Sequence, residues 1–307
     1  MDQRCPKICY QKKEDGLTVT ACYGIDGQIY LPDELRGEPI TAIAPYAFSD
    51  REPEEGDLCW MEEGAEALSG LHRLNMEAVT EIRLPSGVRE IGRYAFYRCR
   101  NLRKLVLSDA LREIGGGALT GCRIREVEIH FANGEQSALP SILDEMRYRI
   151  LARLYYQEGK TAQVLFPEHY EEAVENTPAR ILYTSHHGAG GYYRQCFYNR
   201  ALDYGKYDEL LLRAIEEESE ETVLRLVLGR LRYPYQLSAK AEESYREYLA
   251  GHLKTAARML VARKTWKGFA FSRRTMYGQE RVSALRLSRR QSGRRRKLSP
   301  YLQKRRR

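Results

Sequence analysis

No stretch of this sequence approaches the ~20 consecutive apolar residues that cross a bilayer, so no transmembrane helix is expected. The opening Met1-Asp2-Gln3-Arg4-Cys5-Pro6-Lys7 lacks the apolar core of a secretory signal. Cysteine is sparse and odd in number: Cys5, Cys9, Cys22, Cys59, Cys99, Cys122 and Cys196 are scattered along the chain. That usage suits a reducing compartment better than a disulfide framework, and the expected location is cytoplasmic. Cys5-x-x-x-Cys9 with Cys22 has neither the spacing nor a nearby histidine for zinc, so no metal site is expected, nor any cofactor.

Charge is not evenly spread. Of 50 Lys and Arg and 42 Asp and Glu, residues 263–307 hold 17 bases and one acid, Glu280, a net +16. Residues 1–262 keep 33 bases and 41 acids, a net −8, so the overall +8 describes neither part. At 307 residues the chain can bury a sizeable core and hold two domains.

One pattern is written nearly three times between residues 79 and 129. Val79-x-x-Ile82-x-Leu84, Leu102-x-x-Leu105-x-Leu107 and Ile124-x-x-Val127-x-Ile129 share one apolar spacing. Ile82 and Leu105, Ile91 and Ile114, Phe96 and Leu119, and Cys99 and Cys122 are each 23 residues apart. A fixed period of this size, with a short alternating strand per unit, is the signature of a solenoid. One such coil cannot bury its own apolar face, so equivalent residues must ladder from coil to coil. Cys99 and Cys122 are expected as buried thiols stacked in neighbouring coils.

The run Leu84-Pro85-Ser86-Gly87-Val88-Arg89-Glu90-Ile91-Gly92-Arg93-Tyr94-Ala95-Phe96-Tyr97-Arg98-Cys99 resembles the BspA-type (Treponema-type) leucine-rich repeat. The resemblance covers about residues 17–130. Ile29-Tyr30-Leu31-Pro32, Ile40-Thr41-Ala42-Ile43 and Tyr46-Ala47-Phe48 match its opening unit, while Gly115-Gly116-Gly117-Ala118-Leu119 departs from the pattern. It implies a right-handed solenoid used for protein–protein contact in bacteria, often at the cell surface. The N-terminus gives surface display no support.

Alternation along the strands places Glu81, Arg83, Lys104, Val106, Glu126 and Glu128 on the outward face, the candidate partner-binding surface. Residues 17–31 read as a hairpin capping the solenoid. The acidic, Pro- and Gly-bearing segment 50–67 reads as a solvated insertion. Beyond His130, apolar spacing predicts a helix over 141–156, a strand over 162–166, a short helix over 168–175 and a strand over 179–184. The Gly-rich run from Ser185 to Cys196 offers His186, His187 and Arg194 as a possible ligand loop at a helix start. It lacks the Walker Lys-Ser/Thr pair and G-x-G-x-x-G spacing, and no acid can be assigned to orient a Cys196/His187 pair. No catalytic residue is expected. From Tyr192 onward helices are predicted, one opening at Tyr207-Asp208, one striped by Val223, Leu224, Val227, Leu228 and Leu231, and one capped by Ser238.

The expected fold class is α+β: a short leucine-rich-repeat β-solenoid, then a helical, α-solenoid-like domain and a disordered basic tail. The expected divisions are the repeat domain over 1–135, an α/β connector over 136–191, helices over 192–262 and the tail over 263–307. The expected function is a non-enzymatic, intracellular scaffold whose partner is another protein. The alternative is an adaptor that holds nucleic acid or an anionic membrane through the tail.

The tail itself has two readings. It is a genuine basic arm, or it is out of frame, since Glu-rich codons read one base late give Lys and Arg. AAG ACC TGG AAG GGC TTC, one permitted coding of Lys264 to Phe269, reads Glu-Asp-Leu-Glu-Gly-Leu one base earlier, after a G. On that second reading the native product continues its helices and carries no basic arm. Intact mass of the native protein checks this: a mass that includes Arg307 establishes the arm.

Overall fold

The computed structural model describes residues 5–52, 57–65, 68–176 and 181–262; the tail over 263–307 lies outside them. The described residues divide into two compact units, one running to Tyr245 and one beginning at Arg246. In chain order the strands are β1 (Lys7–Lys13), β2 (Gly16–Gly24), β3 (Gln28–Tyr30), β4 (Glu34–Leu35), β5 (Glu38–Ile43), β6 (Leu58–Met61), β7 (His72–Arg73), β8 (Glu81–Arg83), β9 (Glu90–Ile91), β10 (Lys104–Ser108), β11 (Glu113–Ile114) and β12 (Glu126–His130). Helix α1 (Leu139–Glu145) precedes β13 (Ile150–Tyr155), β14 (Thr161–Phe166), β15 (Tyr170–Asn176) and β16 (Ile181–His187). Then come α2 (Gly190–Arg194), β17 (Phe197–Tyr198), β18 (Ala201–Leu202), α3 (Tyr204–Glu209), α4 (Leu211–Glu217), α5 (Glu220–Arg232), α6 (Ala239–Gly251) and α7 (Leu253–Ala262). No described helix is long and apolar enough to cross a membrane.

The repeats stack as a β-solenoid with two walls. One wall is a six-stranded sheet ordered β14-β13-β12-β10-β8-β3, parallel from β3 to β13 and closed by antiparallel β14. Its register sets Ile29, Ile82, Leu105, Val127, Ala152 and Val164 in one row, each essentially sealed from solvent. The other wall runs β11-β9-β5-β2-β1-β6 and aligns Ile43, Ile91 and Ile114. Between them the Phe48 and Phe96 rings stack at 4.9 Å. Fully burying each large side chain of this kind contributes roughly 1.5–3 kcal/mol.

Close coil-to-coil approach explains the small residues of the repeat. A Cβ at Gly92 would lie 2.4 Å from the Pro45 nitrogen, and one at Gly115 would lie 2.5 Å from the Arg93 nitrogen. The Gly-rich third unit is explained in the same way. Tyr46, Tyr94 and Gly117 occupy equivalent positions, all at positive φ (60°, 55° and 71°), a conformation that costs glycine least. A Cβ on Gly117 would also meet the Tyr94 ring at 2.3 Å, so the tyrosine of one coil fills the space its successor leaves open.

Cys99 and Cys122 are buried unpaired thiols, as expected. Each points at the coil before it, Cys99 Sγ donating to Phe48 O (3.4 Å) and Cys122 Sγ to Phe96 O (3.1 Å). Burial raises both thiols, Cys122 to about 12. The backbone ladder Phe48 N to Ala95 O and Phe96 N to Ala118 O has no further coil to meet at Leu119. There the Glu145 carboxylate of α1 accepts the Leu119 N–H at 3.0 Å.

Several expectations are corrected. The capping hairpin is β1–β2, over 7–24 rather than 17–31, and β3 joins the opposite wall as the first rung. The segment 50–67 is more than a solvated loop. Its β6 extends the cap sheet beside β1, where Cys9 and Cys59 sit opposite each other and form a disulfide. Only 139–145 is helical in the span 141–156, and 150–155 is a strand whose Ile150, Ala152 and Leu154 alternate inward. The apolar spacing fits both periods, and the open edge of β12 decides for the strand. Residues 170–176 are likewise a strand, paired with β16, because an adjacent strand supplies its hydrogen bonds. A tight turn through Asn199 and Arg200, both at positive φ, interrupts the helices after α2. The helix expected to open at Tyr207 opens at Tyr204, capped by Asp203, and breaks at Leu210. Ser219 and Ser238 cap the next two.

Helices close the solenoid at its last rung. Tyr207 Oη donates to Leu165 O (2.7 Å) and accepts from Leu165 N (2.9 Å), satisfying an edge of β14 that would otherwise be open. Behind it Arg230, fully buried, donates twice to Asp208 (Nε to Oδ1, 2.7 Å; Nη2 to Oδ2, 2.8 Å) and to Tyr235 O (3.0 Å). Tyr245 Oη donates to Asp208 as well, and the guanidinium lies over the Tyr204 ring. Arg230→Met leaves Asp208 buried without its cation and is expected to cost about 3–5 kcal/mol. Urea unfolding measures this, and a loss under 1 kcal/mol is incompatible with the pair as described.

Candidate functional site

The outward side chains of the parallel sheet form columns fixed by register. Glu81, Lys104 and Glu126 make one column, Arg83, Val106, Glu128 and Arg153 a second, and Ser108, His130 and Tyr155 a third. The proposed surface is therefore brought together, with one correction. Val106 is 2% exposed, because its neighbours in the column are long charged chains that lie across it. The charges on this face largely satisfy one another. Lys104 Nζ lies 3.3 Å from Glu81 and 3.4 Å from Glu128, and Arg153 donates to Glu126 and Glu128 at 2.8 Å each. Partial burial alone would lower the Lys104 ammonium, but Glu128 and Glu81 more than offset this and raise it. Arg83 stays exposed over the Tyr30 ring, and His130 stacks on Tyr155 at 4.8 Å.

The Gly-rich loop does not leave an anion seat. Glu218 Oε1 already accepts the Ala189 N–H at 2.9 Å, so the chain's own carboxylate occupies the place. Arg194 is committed to backbone: it donates to Pro167 O (2.6 Å), Gly190 O (3.0 Å), Met146 O (3.2 Å) and Tyr148 O (3.0 Å). Burial lowers its guanidinium to about 10. The backbone of His186 lies opposite that of Glu171 in the β15–β16 register, and His187 is exposed against Tyr170. Cys196 is buried, donates to Tyr192 O at 3.5 Å, and has its thiol pushed up to about 12 by burial. A thiol held that far from ionisation is a poor nucleophile. A cavity of about 430 Å³ lies beside this loop, lined by Asp144, Arg147, His169, Tyr192 and Arg194. Among the described residues, no three His, Cys, Asp or Glu side chains gather where a metal ion could be held.

The family model for the BspA type leucine rich repeat region (6 copies) matches residues 74–139. The repeat region is a BspA-type leucine-rich repeat. A solved structure, the T. pallidum leucine rich repeat protein, is 20% identical over 39% of this chain and 67% of its own, with a TM-score of 0.22. No curated protein matches the chain.

In this BspA-type repeat, His130 and Tyr155 are the surface residues that the motif did not flag. His130 ends its strand, where the motif places no requirement, and Tyr155 stood in a span read as helix. Their pairing follows only from the parallel register of β12 and β13. Partial burial, and then the nearby Arg83 cation, lower the His130 imidazole below its ordinary value. The folded repeat therefore favours neutral His130, and this contribution is present above the unfolded histidine pKa (~6.5) and lost as pH falls through that range. An NMR titration is expected to place His130 below 6.5, and Arg83→Gln should move it upward. No movement would remove Arg83 from this face's electrostatics.

Proposed function

We propose that this chain is a non-enzymatic, intracellular bacterial scaffold that presents the outer face of its BspA-type sheet to another protein. The observation that carries the reading is the fixed register of Glu81, Arg83, Lys104, Glu126, Glu128 and Arg153. Four strands hold these charges on a rigid plane, so their positions need no ordering when a partner arrives. Because most are paired within the face, they supply pattern more than raw attraction. The exposed end at Arg83, His130 and Tyr155 offers a cation and aromatic surface, the kind of group enriched where interfaces bind most strongly.

The raised thiol of Cys196 and the carbonyl-bound Arg194 support the absence of catalysis at the one loop whose sequence suggested chemistry. A cytoplasmic setting belongs to the same proposal. Cys9–Cys59 argues against it, because disulfides persist in oxidising compartments, and alkylation of the native protein before reduction decides the point.

A photo-reactive residue placed at Arg83 in the native host is expected to give one discrete protein adduct. Lys104→Glu should abolish the adduct while the far-ultraviolet dichroism stays unchanged. The same residue at Tyr198, exposed on the β17–β18 turn, should give none. Identical adducts from both positions, or none from either, would overturn the assignment of this face.

A further inference from the structure

The outer sheet face balances its own charges, but the corner of the coils beside it does not. A short turn links the return leg of each coil to its next strand. Two successive turns carry Arg98, Arg100 and Arg103, then Arg123 and Arg125, and all five residues are exposed. Arg100 and Arg123 stand one period apart. The Arg125 N–H donates to Arg103 O at 2.8 Å, so the register stacks one turn on the other. Neighbouring strands lie about 4.8 Å apart, and the stack therefore crowds like charges that the buried core does not require.

Among the described residues one carboxylate answers this group. It is Glu77, 3.8 Å from Arg100, and both side chains are more than half exposed. Lys104, the very next residue after Arg103, is by contrast held between Glu81 and Glu128. Arg103 Nη1 donates to the Arg100 and Leu102 carbonyls of its own turn, which fixes the side chain without cancelling its charge. Arg98 and Arg125 lie over tyrosine rings, 5.2 Å from the Tyr97 centroid and 4.5 Å from that of Tyr148. Gly121, one period after Arg98, has no side chain, and a Cβ there would lie 3.7 Å from Arg98 Cγ. The third coil thus leaves Arg98 uncovered. Nine of the ten bases from Arg83 to Arg125 are arginine, whose planar fork matches phosphate and stacks on rings as lysine cannot.

We propose that this corner binds single-stranded nucleic acid. Arg103 and Arg123 meet phosphates, and the arginine–tyrosine stacks at Arg98 and Arg125 supply planes on which bases lie. An acidic peptide would satisfy the charge and leave those planes unused. A duplex hides its base faces, and a corner built of turns offers neither a helix nor a ribbon to a groove. The assignment does not depend on the protein partner proposed for the sheet face.

Fluorescence anisotropy of the full chain with a labelled oligothymidylate of about ten nucleotides tests it. Saturable, salt-sensitive binding is expected. Arg103→Gln combined with Arg123→Gln should weaken it about tenfold or more. The same pair should flatten the slope of log affinity against log salt by about 1.4, two phosphate contacts at about 0.7 each. Arg98→Lys combined with Arg125→Lys keeps the charge without the plane, and should weaken binding several-fold at an unchanged slope. Lys240→Gln, exposed on α6, should change neither quantity. Near-ultraviolet dichroism should match the parent in every variant. An oligonucleotide carrying 4-thiothymidine needs no variant, and it is expected to photo-crosslink to peptides containing Tyr97 or Tyr148. Four results would overturn the proposal: no binding, affinity and slope indifferent to both double variants, adducts confined to residues beyond 262, or equal competition by polyglutamate. The last would assign the corner to an acidic protein segment instead.

Discussion

A repeat coil cannot satisfy its own backbone or bury its own apolar face, and almost everything in this molecule follows from that constraint. Each rung must be met in register by another rung of nearly the same shape. In-register contact brings backbones so close at Gly92 and Gly115 that no side chain fits. It also aligns Phe48 on Phe96 and aims each cysteine at a carbonyl of the coil before it. Where identical coils run out, different chemistry answers the same demand: a Glu145 carboxylate at Leu119, antiparallel β14 at the last strand, and the Tyr207 hydroxyl at Leu165.

The same register shapes the outer face. Alternation delivers charged residues to one surface, but which charges meet is decided by neighbours 23 to 27 residues away in sequence. Lys104 lies between Glu81 and Glu128, and Arg153 between Glu126 and Glu128, so the sheet's own charges are mutually screened. Half-exposed pairs of this kind add little to stability, typically under about 1 kcal/mol each. Their value lies in holding a fixed pattern, and the cost is that Val106, read as outward and open, is covered by them.

The repeat was legible because its information is local and redundant: apolar spacing and Gly at the close approach recur with one period, and Tyr-Ala-Phe marks the turn of two coils. Elements outside it were legible only where their signal was also local, as with the cap Ser238. Residues 150–155 were read as helix because Ile150, Leu151 and Leu154 fit either period, and no local feature reports that β12 offers an unpaired edge. The Gly-rich loop failed for the converse reason. Its composition suits an anion site, but Glu218, distant in sequence, arrives to take the place.

Sequence by itself determined the solenoid, which strand positions point outward, its buried thiols and the helix start capped by Ser238, since each depends on residues within one turn or one period. Only tertiary structure decided where the solenoid ends and how its charges pair. It also decided that Arg230 finds Asp208 in the closing helices. Those outcomes turn on which distant groups are left unsatisfied once the ladder is built, and a linear pattern does not record that.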